Sequence, residues 1–185
     1  MGKVRIIGGK WRGRQITVVP HASLRPTPDS VRETLFNWLM NEVSGARCLD
    51  LFAGTGVLGF EALSRGARHV TFIENTPKIF QAIQNNITQF AVQDHATPLF
   101  GDAIKWLSDG QGDSAFDIVF LDPPYASHLL KESIEKLILS GLIAKNTLIY
   151  LEAPTAWGQA DFPVGWQLIK QKKSGEVFYH LLKVA

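Results

Sequence analysis

The stretch LDLFAGTGVLGFEALSRGA, residues 49–67, decides the fold. An apolar run, RCLDLF, carries Asp50 near its end and leads into glycines at 54, 56 and 59. A helix is expected to follow over about 57–65. Strand, G-x-G-x-x-G turn and helix in that order let a backbone approach a nucleotide-like ligand closely. The glycines alone fit a dinucleotide or S-adenosylmethionine.

Asp50 favours the second. A carboxylate at the strand end accepts from a donor on the ligand and repels a pyrophosphate. S-adenosylmethionine carries an ammonium and no phosphate. Glu74 closes the next strand, HVTFIE, and lies 20 residues beyond Gly54. That is the distance at which an acidic residue is expected to meet ribose hydroxyls. Asp102, after Gly101, is placed either to accept from an adenine amino group or to cap the helix behind it; the two roles are compatible.

Outward from this unit the strand–helix rhythm repeats. A helix is expected over 77–90, with Pro77 in its first turn. A short strand near TPLFG precedes a helix over 103–108. FDIVFLD (116–122) is apolar almost throughout, as a buried parallel strand is. A helix over about 128–140 ends at Gly141, and TLIYLE forms a strand over 147–152. The last stretch, 166–184, reads as a hairpin around Ser174-Gly175. Repeated βα units imply an α/β fold of the Rossmann-like type: a mostly parallel sheet covered on both faces, with ligands beyond the carboxyl ends of its strands.

The reaction class rests on Asp122-Pro123-Pro124-Tyr125, directly after the most apolar strand. The prolines stiffen the turn and remove two backbone donors. An exocyclic base amine has its lone pair delocalised into the ring. To attack a methyl group it must rehybridise and gain positive charge. Acceptors aimed at its hydrogens stabilise that charge, and the Asp122 carboxylate and Pro123 carbonyl are such acceptors. Tyr125 is suited to stacking on a base that has left its helix. A sulfonium is already an activated donor, so positioning supplies much of the rate and neither a metal nor a strong base is required.

The N-terminal end differs in character. Residues 1–32 hold seven Lys and Arg against Asp29 alone, a charge of +6, which leaves −4 on the rest of a chain of net charge +2. Two β-type runs, 4–7 and 15–19, flank GGKWRGR and read as a basic hairpin. Lys10, Trp11, Arg12 and Arg14 combine cationic and aromatic character, and Arg25 and Arg32 flank the proline-rich segment; together they suit an RNA backbone with an unpaired base. A helix is expected over 31–42, capped by Asp29 or Ser30 with Glu33 as capping-box partner, and with Val31, Leu35, Trp38 and Leu39 as its apolar stripe. The chain divides into a basic extension, 1–29, and an S-adenosylmethionine-dependent domain, 30–185.

The 185 residues are 45% hydrophobic and 19% charged, enough apolar material for one packed core. No apolar run reaches membrane-spanning length. Cys48 is the sole cysteine, which precludes an internal disulfide and a cysteine zinc cluster; it is expected to be buried, and a cytoplasmic setting is expected. The histidines show no metal spacing.

D-x-F-x-G-x-G at 50–56, Glu74, Gly101-Asp102 and Asp-Pro-Pro-Tyr at 122–125 resemble the Rossmann-type amino-methyltransferases acting on nucleic-acid bases. RIIGGKWRGRQI at 5–16 and LRPTPDSVRETLFNWL at 24–39 narrow this, with the two blocks above, to a resemblance to the bacterial small-subunit ribosomal RNA guanine-N2 methyltransferases. Thr55, Pro28 and Ser30 are small departures outside the chemistry. The resemblance implies a seven-stranded sheet with a C-terminal antiparallel hairpin and methyl transfer to guanine N2 in 16S rRNA on an assembling small subunit, by a monomer. It implies Asp50, Ala53, Gly54, Gly56, Glu74, Asp102 and Ala103 at the donor, and Asp122, Pro123, Pro124 and Tyr125 at the acceptor. Three rivals make different predictions: adenine-N6 or DNA methylation, a nicotinamide-dependent oxidoreductase, and a non-catalytic RNA-binding module.

Overall fold

The computed structural model describes residues 2–20, 27–110, 114–124 and 129–185. Arg25 and Tyr125 lie outside the described residues.

The alternation read from the sequence forms one seven-stranded sheet. Strands β3 (Arg47–Asp50), β4 (His69–Glu74), β5 (Ala96–Phe100), β6 (Ile118–Leu121) and β7 (Leu148–Ala153) pair in parallel. The hairpin of β8 (Trp166–Ser174) and β9 (Val177–Val184) closes one edge, with β9 antiparallel to β7. The order is β5-β4-β3-β6-β7-β9-β8. Within this sheet the chain enters at β3 in the middle and runs outward first one way, then the other. The carboxyl ends of β3 and β6 therefore sit side by side where the direction reverses, which is where ligands of such sheets bind.

Both faces of the sheet are covered, and the two-residue period of a strand sorts the side chains. Cys48, Ile118, Phe120, Leu148 and Tyr150 join one core cluster with residues of α1 (Asp29–Trp38), α2 (Val57–Ser64) and α3 (Pro77–Phe90). Leu49, Val119, Leu121, Ile149 and Leu151 join the other, with α4 (Ala103–Ser108) and α5 (Leu129–Leu139). Gly59, the third glycine of the fingerprint, sits where α2 crosses β4. A Cβ there would come within 2.2 Å of the Phe72 ring, so only glycine lets helix and strand meet this closely.

The basic hairpin forms from β1 (Gly2–Arg5) and β2 (Gln15–Val18) as a separate two-stranded sheet. It does not stand off in solvent. Ile6, Trp11, Ile16 and Val18 are buried in the same cluster as the helices beneath. Asn86 of α3 receives the Thr17 N–H and donates back to the Thr17 carbonyl, at 3.0 and 2.9 Å.

Helix α1 departs from expectation in three ways. Pro28 occupies the cap position and no side chain caps the helix, so the box with Glu33 is absent. Asp29 is inside the first turn, where it pairs with Arg32 and with Arg5 at 3.3 Å; partners across the fold outbid the local cap. The helix spans Asp29–Trp38 and so starts and ends earlier than the expected 31–42, while Trp38, half-buried, packs against the core with its ring 5.5 Å from that of Tyr179.

Candidate functional site

Two cavities open at the carboxyl end of the sheet, and they share a wall. The first lies over the glycine loop. Asp50, Ala53, Gly54, Glu74, Asp102 and Ala103 all line it, as do Asp122, Pro123 and Pro124. Gly56 does not line it. It takes a left-handed conformation, φ 75°, immediately before α2, so its part is to turn the chain into that helix.

Three of the acidic side chains of this cleft are also tied to backbone. Glu74 accepts from the Gly54 and Thr76 N–H groups at 3.0 and 2.7 Å, which fixes the loop against β4. Asp102 caps α4 by accepting from the Lys105 N–H at 2.8 Å while still facing the cleft. Asp50 accepts from the Gly59 N–H at 3.1 Å and is 3% exposed. Burial drives its pKa from the ordinary 3.8 up to about 8; the Gly59 hydrogen bond opposes the rise and the Glu74 charge adds to it. Among the described residues Asp50 makes no ion pair. A carboxylate accepts at about four lone-pair sites, so these contacts leave room for ligand donors. Acidic groups at three strand ends fit a cationic nucleoside with a ribose diol. They do not fit a pyrophosphate.

The second cavity, about 740 Å³, lies on the far side of the Asp-Pro-Pro turn. Its walls are Thr27, Pro28 and Val31 around the start of α1, Asp122 just after β6, Glu152 and Pro154 at the end of β7, and the β8–β9 turn with Tyr179. Asp122 and Thr27 face both cavities. The Asp122 pKa lies well above the ordinary carboxylate range, first because of burial, then because Glu152 and Asp50 repel its charge.

The basic arm is only partly on the surface. Lys10, Arg12 and Arg14 are exposed. Arg14 lies over the Phe90 ring at 4.2 Å. Trp11 and Arg32 are corrections. Trp11 is 6% exposed, with its ring 4.5 Å from Phe90 and its backbone N–H donating to Ser64 Oγ, so it has no free face for a base. Arg32 is fully buried. It pairs with Glu61 at 2.6 Å and with Asp29, and donates to the carbonyls of Thr27 and Arg5. Its guanidinium holds the arm to α2 and is not available to RNA.

The sequence pattern did not mark Glu152 as a site residue, and it placed the hairpin turn at Ser174-Gly175 without bringing it to the cavity. Glu152 could have been found, since it ends a strand already recognised and strand ends line such sites. The approach of the β8–β9 turn to the cavity has no local signal.

A family model described as conserved hypothetical protein 95 matches residues 4–183. The small subunit ribosomal RNA methyltransferase D of Escherichia coli K12 is 42% identical over 180 residues, covering 97% of this chain and 89% of that protein. The Haemophilus influenzae protein of the same name is 41% identical over 185 residues, covering 97% and 93%. A solved Escherichia coli chain, provisionally named methyltransferase yhhF, superposes with a TM-score of 0.88 at 41% identity, covering 99% of this chain and 98% of its own.

Proposed function

The chain belongs to the conserved hypothetical protein 95 family, and from that premise we propose that it transfers a methyl group from S-adenosylmethionine to the exocyclic N2 of a guanine in 16S ribosomal RNA. Methylation of small-subunit ribosomal RNA is what its close relatives are named for. One observation carries the finer reading: the glycine-loop cleft and the second cavity meet at Asp122. A donor in the first and a base in the second face each other across a carboxylate that both can touch.

The donor supplies a sulfonium methyl, ready for direct attack. Asp50, Glu74 and Asp102 bind and orient it through its ammonium, ribose and adenine groups, and the backbone from Ala53 to Gly54 closes over it. Asp122 and the Pro123 carbonyl accept from the base amine, hold its lone pair toward the methyl, and stabilise the positive charge that grows on nitrogen. As the amine nitrogen bonds to the methyl carbon the carbon–sulfur bond breaks, its electron pair stays on sulfur, and S-adenosylhomocysteine leaves; the methylated, ammonium-like amine sheds its extra proton to Asp122 or to water. Pro123 and Pro124 hold the acceptors still without offering N–H groups that would compete. Tyr125, outside the described residues, stacks on the base in this reading.

RNA reaches the site over a cationic surface. Lys10, Arg12 and Arg14 are the exposed part of the arm. Lys172 and Lys173 stand on exposed β8 just before the turn that walls the second cavity. An assembling small subunit presents both phosphates and an unpaired base to such a surface.

The test is direct. Incubate the protein and labelled S-adenosylmethionine with unmodified small ribosomal subunits and with naked RNA, then map the product by nucleoside mass spectrometry. The expected product is N2-methylguanine in small-subunit RNA, with more on particles. Label solely in DNA, or thermal protection by NADH and not by S-adenosylhomocysteine, would overturn the proposal.

A further inference from the structure

The second cavity contains a carboxylate that the Asp-Pro-Pro turn does not supply. Strands β6 and β7 run parallel with Leu121 opposite Leu151, so the next residue on each sets Asp122 beside Glu152. Both line the cavity. Glu152 is 8% exposed. The Tyr150 hydroxyl donates to its Oε1 at 2.6 Å, which holds the carboxylate in one orientation. Keeping two acids side by side in a half-closed cavity opposes stability, and such arrangements mark sites that use the charge.

An exocyclic amine cannot tell guanine from adenine, because both bases carry one. The ring nitrogen beside it can. Guanine N1 carries a hydrogen and donates. Adenine N1 carries a lone pair and accepts. A carboxylate next to the one that receives the amine therefore welcomes guanine and repels adenine, and reading of this kind on the Watson–Crick edge is how enzymes discriminate bases taken from the stack. A carboxylate accepts at about four lone-pair sites, so a tyrosine hydroxyl on one oxygen does not exhaust it.

We propose that Glu152 selects guanine by accepting its N1–H, while Asp122 and the Pro123 carbonyl receive the N2 hydrogens. This rests on the guanine-N2 reading above. Glu152 becomes a specificity residue, supplied by the neighbouring strand.

Glu152→Gln and Glu152→Asp test it. Gln keeps the bulk and can keep its oxygen on the Tyr150 hydroxyl, which turns an NH₂ donor toward the base. That donor opposes guanine N1–H and matches adenine N1. On unmodified small subunits, Glu152→Gln should lose about tenfold or more in kcat/KM for guanine, with S-adenosylhomocysteine affinity close to that of the wild type and an unfolding midpoint no lower, and the methyladenine share of its product should rise. Glu152→Asp should recover part of the guanine activity.

The pH profile adds a readout that a purely structural role would not move. Asp122 faces Asp50 from β3 and Glu152 from β7, and Glu176 and Tyr179 are the other ionisable groups on the cavity wall. Removing the Glu152 charge should shift the acidic limb of activity to lower pH. Wild-type guanine activity and an unmoved limb in Glu152→Gln would overturn the assignment. A wild-type product other than N2-methylguanine would instead bring down the reading beneath it, and this inference with it.

Discussion

Helix α2 has buried acids on two sides, and they are treated in opposite ways. Toward the arm, Glu61 is fully buried and completely answered: it pairs with Arg32 at 2.6 Å and with Arg65, and accepts the Ile7 N–H at 2.7 Å. Toward the cleft, Asp50 is nearly as buried and accepts a single backbone N–H from Gly59. Neither Asp50 nor Asp122 makes an ion pair among the described residues, and burial raises the pKa of both. A charge answered from within holds the fold together. A charge left for something else is a cost in stability that a ligand relieves.

Breaking the answered side should give the largest effect. Arg32→Ala or Glu61→Ala takes from a buried charge its fully buried partner and should remove about 3–5 kcal/mol of unfolding free energy, even though Arg65 still meets Glu61 and Asp29 still meets Arg32. Urea denaturation checks this, and a loss below about 1 kcal/mol would mean the arm is held chiefly by its apolar contacts.

Asp122→Ala attacks the other side. The fold should survive. Methyl transfer should fall about 10²–10³-fold, the scale of losing one preorganised acceptor at developing charge, while S-adenosylhomocysteine affinity changes little. Wild-type activity should also fall with acidification, at a pH above the ordinary carboxylate range, because Asp122 must be ionised to accept from the amine.

Asp50→Asn sharpens the contrast, because stability and binding should move in opposite directions. The folded chain keeps the Asp50 proton up to about pH 8, whereas the unfolded chain loses it near the ordinary 3.8. Between those values the unfolded state binds fewer protons, so this group's contribution, full below the lower value, is lost as pH rises through the upper one. Asn removes that loss. The ligand-free protein should melt a few degrees higher at pH 8 than the wild type and almost equally at pH 4, and should bind S-adenosylhomocysteine more weakly. Calorimetry across that range checks both.

The smallest effect belongs to the exposed arm. Lys10→Glu and Arg12→Glu should leave stability unchanged and weaken RNA binding without sequence preference, each reducing the slope of log affinity against log salt by about 1.

The same division explains what could be read without coordinates. Elements with strong local signals fall where their pattern predicts: β4 at His69–Glu74, α3 at Pro77–Phe90 and α4 at Ala103–Ser108. The strand-end residues that line the cleft were legible for the same reason, because the fingerprint, Glu74 and the Asp-Pro-Pro turn are each encoded within a few consecutive positions. Arg32 and Trp11 were not. An arginine near a basic arm looks like surface until Glu61, 29 residues away, is seen to meet it. A tryptophan among cations looks like a stacking platform until Phe90 fills its face. The Asp29 cap failed in the same way, since a local hydrogen bond lost to ion pairs with Arg5 and Arg32. Glu152 needs the pairing of β6 with β7 before its place beside Asp122 is apparent.

A structure of the protein soaked with S-adenosylhomocysteine tests the central claim most directly. The ligand is expected over the glycine loop with its sulfur toward the Asp122 wall, open to the second cavity. A sulfur directed away from Asp122, with the turn closed between ligand and cavity, would contradict it.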